Sequence, residues 1–147
     1  FVEEVKALDV RVKLDTNGSR PGVLACLLDR RLLDYVAMDV KAPLDKYGRL
    51  AGRDVDVAAI EHSIDLLRDS GIDHEFRTTA IKPLLAREDL LRIGELLRGS
   101  GRYVLQPFVP RATLDPQLAD SARSFTAEEL AALQAQIGGS ELECAVR

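Results

Sequence analysis

Two short runs carry a carboxylate at the same kind of place. Val12-Lys13-Leu14-Asp15-Thr16-Asn17-Gly18 and Tyr35-Val36-Ala37-Met38-Asp39-Val40-Lys41-Ala42-Pro43 each begin as an apolar β-type run and end in charged or turn residues. Side chains alternate along a strand, so Lys13 shares a face with Asp15, and Asp39 with Lys41. The same alternation puts Glu75, Arg77 and Thr79 together in a third run and sets Gln106 opposite Leu105 in a fourth. Val12, Leu14, Val36, Met38, Val40, Phe76, Thr78 and Ala80 suit the other face, against helices. The C-terminal ends of strands are where βα units hold ligands. Buried charge is costly unless it is paired or engaged by a ligand. The pattern therefore predicts an open, polar cavity for a zwitterionic or anionic ligand. The plainer alternative is that these charges pair with one another or face water at an edge. Lys41 has a second reading as a Schiff-base nucleophile.

The elements that would position these residues alternate. A helix over 1–8 is followed by a strand over 10–15 and the Asn17-Gly18 turn signal. Ser19 as cap and Pro21 in the first turn start a helix that runs to about 31. A strand over 35–41 stops at Pro43, and 44–50 reads as a short helical turn. Asp56 caps a helix with the stripe Val57, Ile60, Ile64 and Leu67, closed by Gly71. A strand over 74–81 ends at Pro83, a helix covers 88–98, and a strand covers 103–108. Residues 109–124 read as irregular. Thr126 with Glu129 is a capping box for a helix ended by Gly138-Gly139, and 142–146 is a possible last strand. The expected fold class is α/β: about four parallel strands alternating with helices in a partial (β/α) barrel, with a C-terminal helix and that last strand.

At 147 residues the chain has room for a single domain over 1–147, or part of a larger one. A net charge of −4 offers no basic footprint for nucleic acid. No apolar run approaches the roughly 20 residues that span a bilayer, and no signal-peptide pattern is present, so the expected location is the cytoplasm. Cys26 and Cys144 lie far apart with no metal spacing around them and read as free thiols. His62 and His74 are isolated, so a zinc-like site is unsupported.

The four runs, with Asp34-Tyr35 before the second, Glu75-Phe76-Arg77-Thr78-Thr79 and Tyr103-Val104-Leu105-Gln106-Pro107-Phe108, come in the order and spacing of a known family. The sequence resembles the radical S-adenosylmethionine enzymes that activate glycyl-radical enzymes. It is most similar in pattern to the activating proteins of anaerobic ribonucleoside-triphosphate reductase, and next to pyruvate formate-lyase activating enzymes. The resemblance implies the later portion of a partial (β/α)6 barrel that binds S-adenosylmethionine through Asp15, Thr16, Asn17, Asp39, Lys41, Arg77, Thr79 and Gln106. It also implies a monovalent cation held by Asp15, Thr16, Met38 and Asp39. The intact enzyme would cleave S-adenosylmethionine reductively at a 4Fe-4S cluster, form a 5′-deoxyadenosyl radical and abstract hydrogen from a glycine of its partner. The implied partners are that glycyl-radical enzyme and a reductant such as flavodoxin or ferredoxin.

The family's Cys-x3-Cys-x2-Cys loop and its Gly-Gly-Glu-Pro stretch are not in this sequence, and Val109 stands where some relatives carry a histidine. The chain begins at Phe1, without methionine and in helical spacing, so the protein is expected to continue upstream, where the cluster ligands would lie. On this reading the chain alone has no catalytic residue, gives no 5′-deoxyadenosine, and self-associates through its first strand. Two other readings remain open on the residues. One is a Schiff-base lyase using Lys41, which borohydride trapping would reveal. The other is a non-catalytic, cluster-less binding module, which a start codon close to Phe1 would favour.

Overall fold

The structure is a computed structural model and describes residues 1–50, 55–109 and 121–147. Its elements are α1 (Val2–Lys6), β1 (Lys13–Thr16), α2 (Pro21–Asp29), β2 (Tyr35–Asp39), a 3₁₀ turn (Leu44–Lys46) running into α3 (Tyr47–Leu50), and α4 (Val57–Asp69). β3 (His74–Lys82), α5 (Arg87–Leu96), β4 (Gly101–Pro107), β5 (Arg123–Ser124), α6 (Ala127–Ile137) and β6 (Leu142–Val146) follow. Strands β1, β2, β3, β4 and β6 lie side by side in that order, all parallel. The α/β expectation holds, and the possible last strand is a full member of the sheet beside β4. The sheet is open, with β1 and β6 at its edges among the described residues. β5 is a two-residue addition pairing antiparallel with the end of β3, within the stretch expected to be irregular. The rest of that stretch, 110–120, lies outside the described residues.

The helices cover one face. Val36, Met38, Val40, Phe76, Ala80, Tyr103 and Leu105 from the strands pack with Ile60, Ile64 and Leu67 of α4, Leu90 and Ile93 of α5, and Leu130 and Leu133 of α6. This is the apolar set that alternation assigned to the helix side.

Several ends differ from the sequence reading for local reasons. β1 starts at Lys13 rather than at residue 10, because the Val12 amide donates to the Asp34 carboxylate at 2.6 Å and Asp9 bends the chain at φ +56°. Ser19 does not cap α2; its amide and hydroxyl both donate to Asn17 Oδ1, and Arg20 occupies the cap position without a side-chain bond. Asp56 does cap α4, accepting from the Ala59 amide at 3.2 Å. The Thr126–Glu129 capping box forms in both directions. No helix among the described residues is long and apolar enough to cross a membrane.

Candidate functional site

The C-terminal ends of β1, β2 and β3 bring three charged side chains into one cluster. Register aligns Asp15 with Ala37 and Asp39 with Arg77, so Asp15, Asp39 and Arg77 emerge on the face away from the helices. Arg77 lies between the two carboxylates. Its Nη1 is 2.6 Å from Asp15 Oδ1, and its Nη2 and Nε are 2.9 and 3.0 Å from Asp39 Oδ1. Lys13 adds a second cation, 3.2 Å from Asp15 Oδ2. Burial pushes the Asp15 carboxyl upward, but the hydrogen bonds from Lys13 and Arg77 outweigh it and hold the group below the usual range. The guanidinium is the better shielded partner, 16 % exposed against 52 % and 44 % for the carboxylates.

Beside this cluster opens a cleft of about 250 Å³, lined by Asp39, Val40, Lys41, Leu50, Arg77, Thr79, Ile81, Leu84, Leu85 and Phe108. Its lining combines charged and hydroxyl side chains with apolar ones, a combination suited to an amphipathic small molecule. Lys41 is exposed at the cleft and its amine makes no ion pair among the described residues. Its backbone is fixed: the Lys41 amide donates to the buried Tyr47 hydroxyl at 3.0 Å, and that hydroxyl reaches the Asp39 carbonyl at 3.4 Å. Burial raises the Tyr47 pKa, which keeps it a neutral donor and acceptor. The Thr78 hydroxyl ties β3 to the end of β2 by donating to the Val40 carbonyl at 2.6 Å.

The residues singled out from sequence divide into three groups. Asp39, Lys41, Arg77 and Thr79 line the cleft, and Asp15 joins through Arg77. Gln106 is half-buried and pairs in register with Thr79, one strand further along the same face. Thr16, Asn17 and Met38 stand apart from the cleft by their side chains. Thr16 Oγ1 accepts from the Gly18 amide at 3.1 Å, Asn17 Oδ1 is taken by Ser19, and Met38 is fully buried on the helix side. Glu75 is on the expected face but forms a separate pair, buried at 2 % exposure, with both carboxylate oxygens 3.2 Å from Arg147.

Sequence reasoning did not find Tyr47 or the apolar wall of Leu50, Ile81, Leu84, Leu85 and Phe108. A lone aromatic shortly after a strand-ending Pro43 was the available sign of Tyr47. Ile81 continues the Arg77–Thr79 alternation at the end of β3, while Leu50 comes from α3, Leu84 and Leu85 from the loop after β3 and Phe108 from just past β4, where no strand periodicity marks a facing residue.

A 4Fe-4S cluster does not fit these residues. The chain has two cysteines; Cys26 is exposed on α2, and burial pushes the Cys144 thiol up to about 11, away from the thiolate form a cluster needs. No group of three His, Cys, Asp or Glu that could hold a metal ion occurs among the described residues. His62 is exposed in a groove between α2 and α4 with Asp29, Asp65 and Asp69, and His74 Nδ1 bonds the Ile72 carbonyl at 2.8 Å.

No protein-family profile matches the chain. Over 110 residues, 72 % of the chain, it is 34 % identical to a Methanocaldococcus jannaschii protein whose name places it with the glycyl-radical enzyme activating enzymes. The chain spans about half the length of that curated relative, 46 % of it. In three dimensions it superposes on a crystal structure of a domain of pyruvate-formate lyase-activating enzyme from Bacteroides vulgatus, with a TM-score of 0.76. That match covers 99 % of this chain and 86 % of the other at 12 % identity, a likeness of fold. The chain is thus homologous, over part of its relative's length, to a protein named with the glycyl-radical enzyme activating enzymes, and it folds like a domain of a pyruvate-formate lyase-activating enzyme.

Proposed function

We propose that this chain, folding as a single domain over 1–147, is the S-adenosylmethionine-binding later portion of a radical S-adenosylmethionine activating enzyme. The observation that carries the reading is the cleft at the ends of β2 and β3, where a free lysine, a clamped aspartate and a threonine face an apolar wall. S-adenosylmethionine has matching halves: a zwitterionic methionyl group and a flatter, less polar adenosyl group. Lys41 is the one unpaired cation of the polar wall and suits the methionyl carboxylate. Both Arg77 contacts to Asp39 go to Oδ1, which leaves Oδ2 to accept from an amine or hydroxyl of the ligand. The Thr79 hydroxyl and, beyond it, the Gln106 amide add neutral donors. Leu50, Leu84 and Phe108 exclude water from the other side of the cleft.

Asp39, Lys41, Arg77 and Thr79 would hold S-adenosylmethionine, which would supply one-electron reductive chemistry: cleavage of its sulfonium C–S bond to methionine, with hydrogen then taken from a glycine. On this reading the chain's own residues bind and orient, and none acts as a general acid or base. The partner we propose is a glycyl-radical enzyme, with anaerobic ribonucleoside-triphosphate reductase favoured by the sequence pattern, and the electron comes from flavodoxin or ferredoxin. The cluster belongs to segments other than this one. Free thiols accord with a reducing, cytoplasmic setting. A Schiff-base role for Lys41 gains no support, because such a lysine is activated by burial or a crowding cation and Lys41 is exposed.

Equilibrium dialysis of radiolabelled S-adenosylmethionine against the chain tests the reading. Saturable binding at one site is expected, and Lys41→Met weakens it by ~10-fold, the worth of one charge-assisted contact. No saturable uptake, or uptake indifferent to Lys41→Met, speaks against it.

A further inference from the structure

The monovalent cation implied beside the cofactor, with Asp15, Thr16, Met38 and Asp39 as its ligands, does not fit the arrangement of those residues. Arg77 bridges the two carboxylates, reaching Asp15 Oδ1 at 2.6 Å and Asp39 Oδ1 at 2.9 and 3.0 Å. The Thr16 hydroxyl oxygen accepts from the Gly18 amide, and the Met38 side chain is buried in the helix-side core. The charge count points the same way. Asp15 and Asp39 bring two negative charges; Arg77, in contact with both, and Lys13, in contact with Asp15, bring two positive ones. A hard cation is held by several oxygen ligands and an excess of negative charge. Here cations already engage Asp15 Oδ1 and Oδ2 and Asp39 Oδ1, and the cluster carries no excess of negative charge.

We propose that the Arg77 guanidinium stands permanently where the ion would stand, so that this chain organises Asp15 and Asp39 without a monovalent cation. Arg77 is then a positioning residue. Its planar fork meets one carboxylate with Nη1 and the other with Nε and Nη2, and so ties the side chains of Asp15 on β1 and Asp39 on β2 to β3. Unlike a bound ion, it is tethered to the chain and cannot be lost by dilution. The proposal rests on the cofactor reading above only in naming S-adenosylmethionine as the ligand that Asp39 meets.

Thermal unfolding in potassium chloride and in choline chloride at equal ionic strength tests it without any ligand. The wild-type chain is expected to melt at the same temperature in both salts, to within about 1 °C, because a site with no vacancy gains nothing by mass action. Arg77→Met removes the charge at similar volume and leaves two carboxylates facing each other, and potassium is then expected to raise its melting temperature by ~3 °C or more over choline. A potassium-specific rise of that size in the wild type overturns the proposal. So does a folded Arg77→Met that responds to neither salt. If Arg77→Met does not fold in either salt, the wild-type comparison decides. In the same two salts the wild-type affinity for S-adenosylmethionine is expected to agree within about twofold. Loss of binding in choline alone overturns the proposal, whereas absence of binding in both salts overturns the cofactor reading and leaves the melting result standing.

Discussion

Gly18 shows how one residue can hold a site it does not line. It ends the turn after β1 at φ +72°, and a Cβ there would lie 2.0 Å from the Met38 Cε. Its carbonyl accepts from the buried Ser63 hydroxyl at 2.7 Å, so the turn that follows Asp15 is tied to α4. Gly18→Ala meets both a left-handed backbone and an enclosed methionine end, and is expected to cost about 2–3 kcal/mol of stability. A lowered urea midpoint with an unchanged slope would show this; a midpoint equal to wild type would contradict it. At this scale the sequence was informative about facing. Period-two alternation placed Asp15, Asp39, Arg77 and Thr79 on one face and Met38 on the other. It was silent about pairing: nothing in the spacing of Glu75 and Arg77 says that one turns to Arg147 and the other to two aspartates, because those partners come from other strands.

Elements set the cleft by how they stop. β2 is held past its last ladder residue by Tyr47, which sits in the short helix after Pro43. That helix is anchored in turn by Lys46, 2.6 Å from Asp89 at the start of α5. The Asp89 carboxylate is 4 % exposed and also accepts from the Ala86 amide at 3.0 Å. Burial pushes its pKa up, but the bonds from Lys46 and Ala86 prevail and keep it below the ordinary value. A carboxyl depressed in the folded state contributes stability above its unfolded pKa of about 3.9, lost as pH falls through the folded value. Asp89→Asn is therefore expected to cost about 1–2 kcal/mol near neutral pH, with the gap to wild type narrowing as the pH falls below the unfolded value and through the depressed folded one. Urea unfolding across that range checks it; a gap that stays constant would mean that the charge of Asp89 contributes nothing. The capping residues Asp56 and Thr126 were legible because a cap is local chemistry. Asp89 was not, because its partner lies forty-three positions away.

Among the described residues the molecule is a sheet of five parallel strands, with the short antiparallel β5 beside β3, helices on one face and a charged face opposite. The alternation of strands and helices made that architecture legible, and the fold of a pyruvate-formate lyase-activating enzyme domain agrees with it. Most of the apolar lining of the cleft was not legible, since Leu50, Leu84, Leu85 and Phe108 come from a short helix and from segments past the strand ends that only the folded chain brings together. β1 has one strand partner among the described residues, and that open edge is where self-association would begin.

The central claim is that the strand ends form one ligand site. Titrating ¹⁵N-labelled protein with S-adenosylmethionine and following amide shifts tests it most directly. The account predicts saturable shifts gathered at Asp39, Lys41, Arg77, Thr79 and Phe108, with Asp15 following through Arg77. Shifts centred on the α2–α4 groove around His62 and Asp65, or no saturable shifts at all, would contradict it.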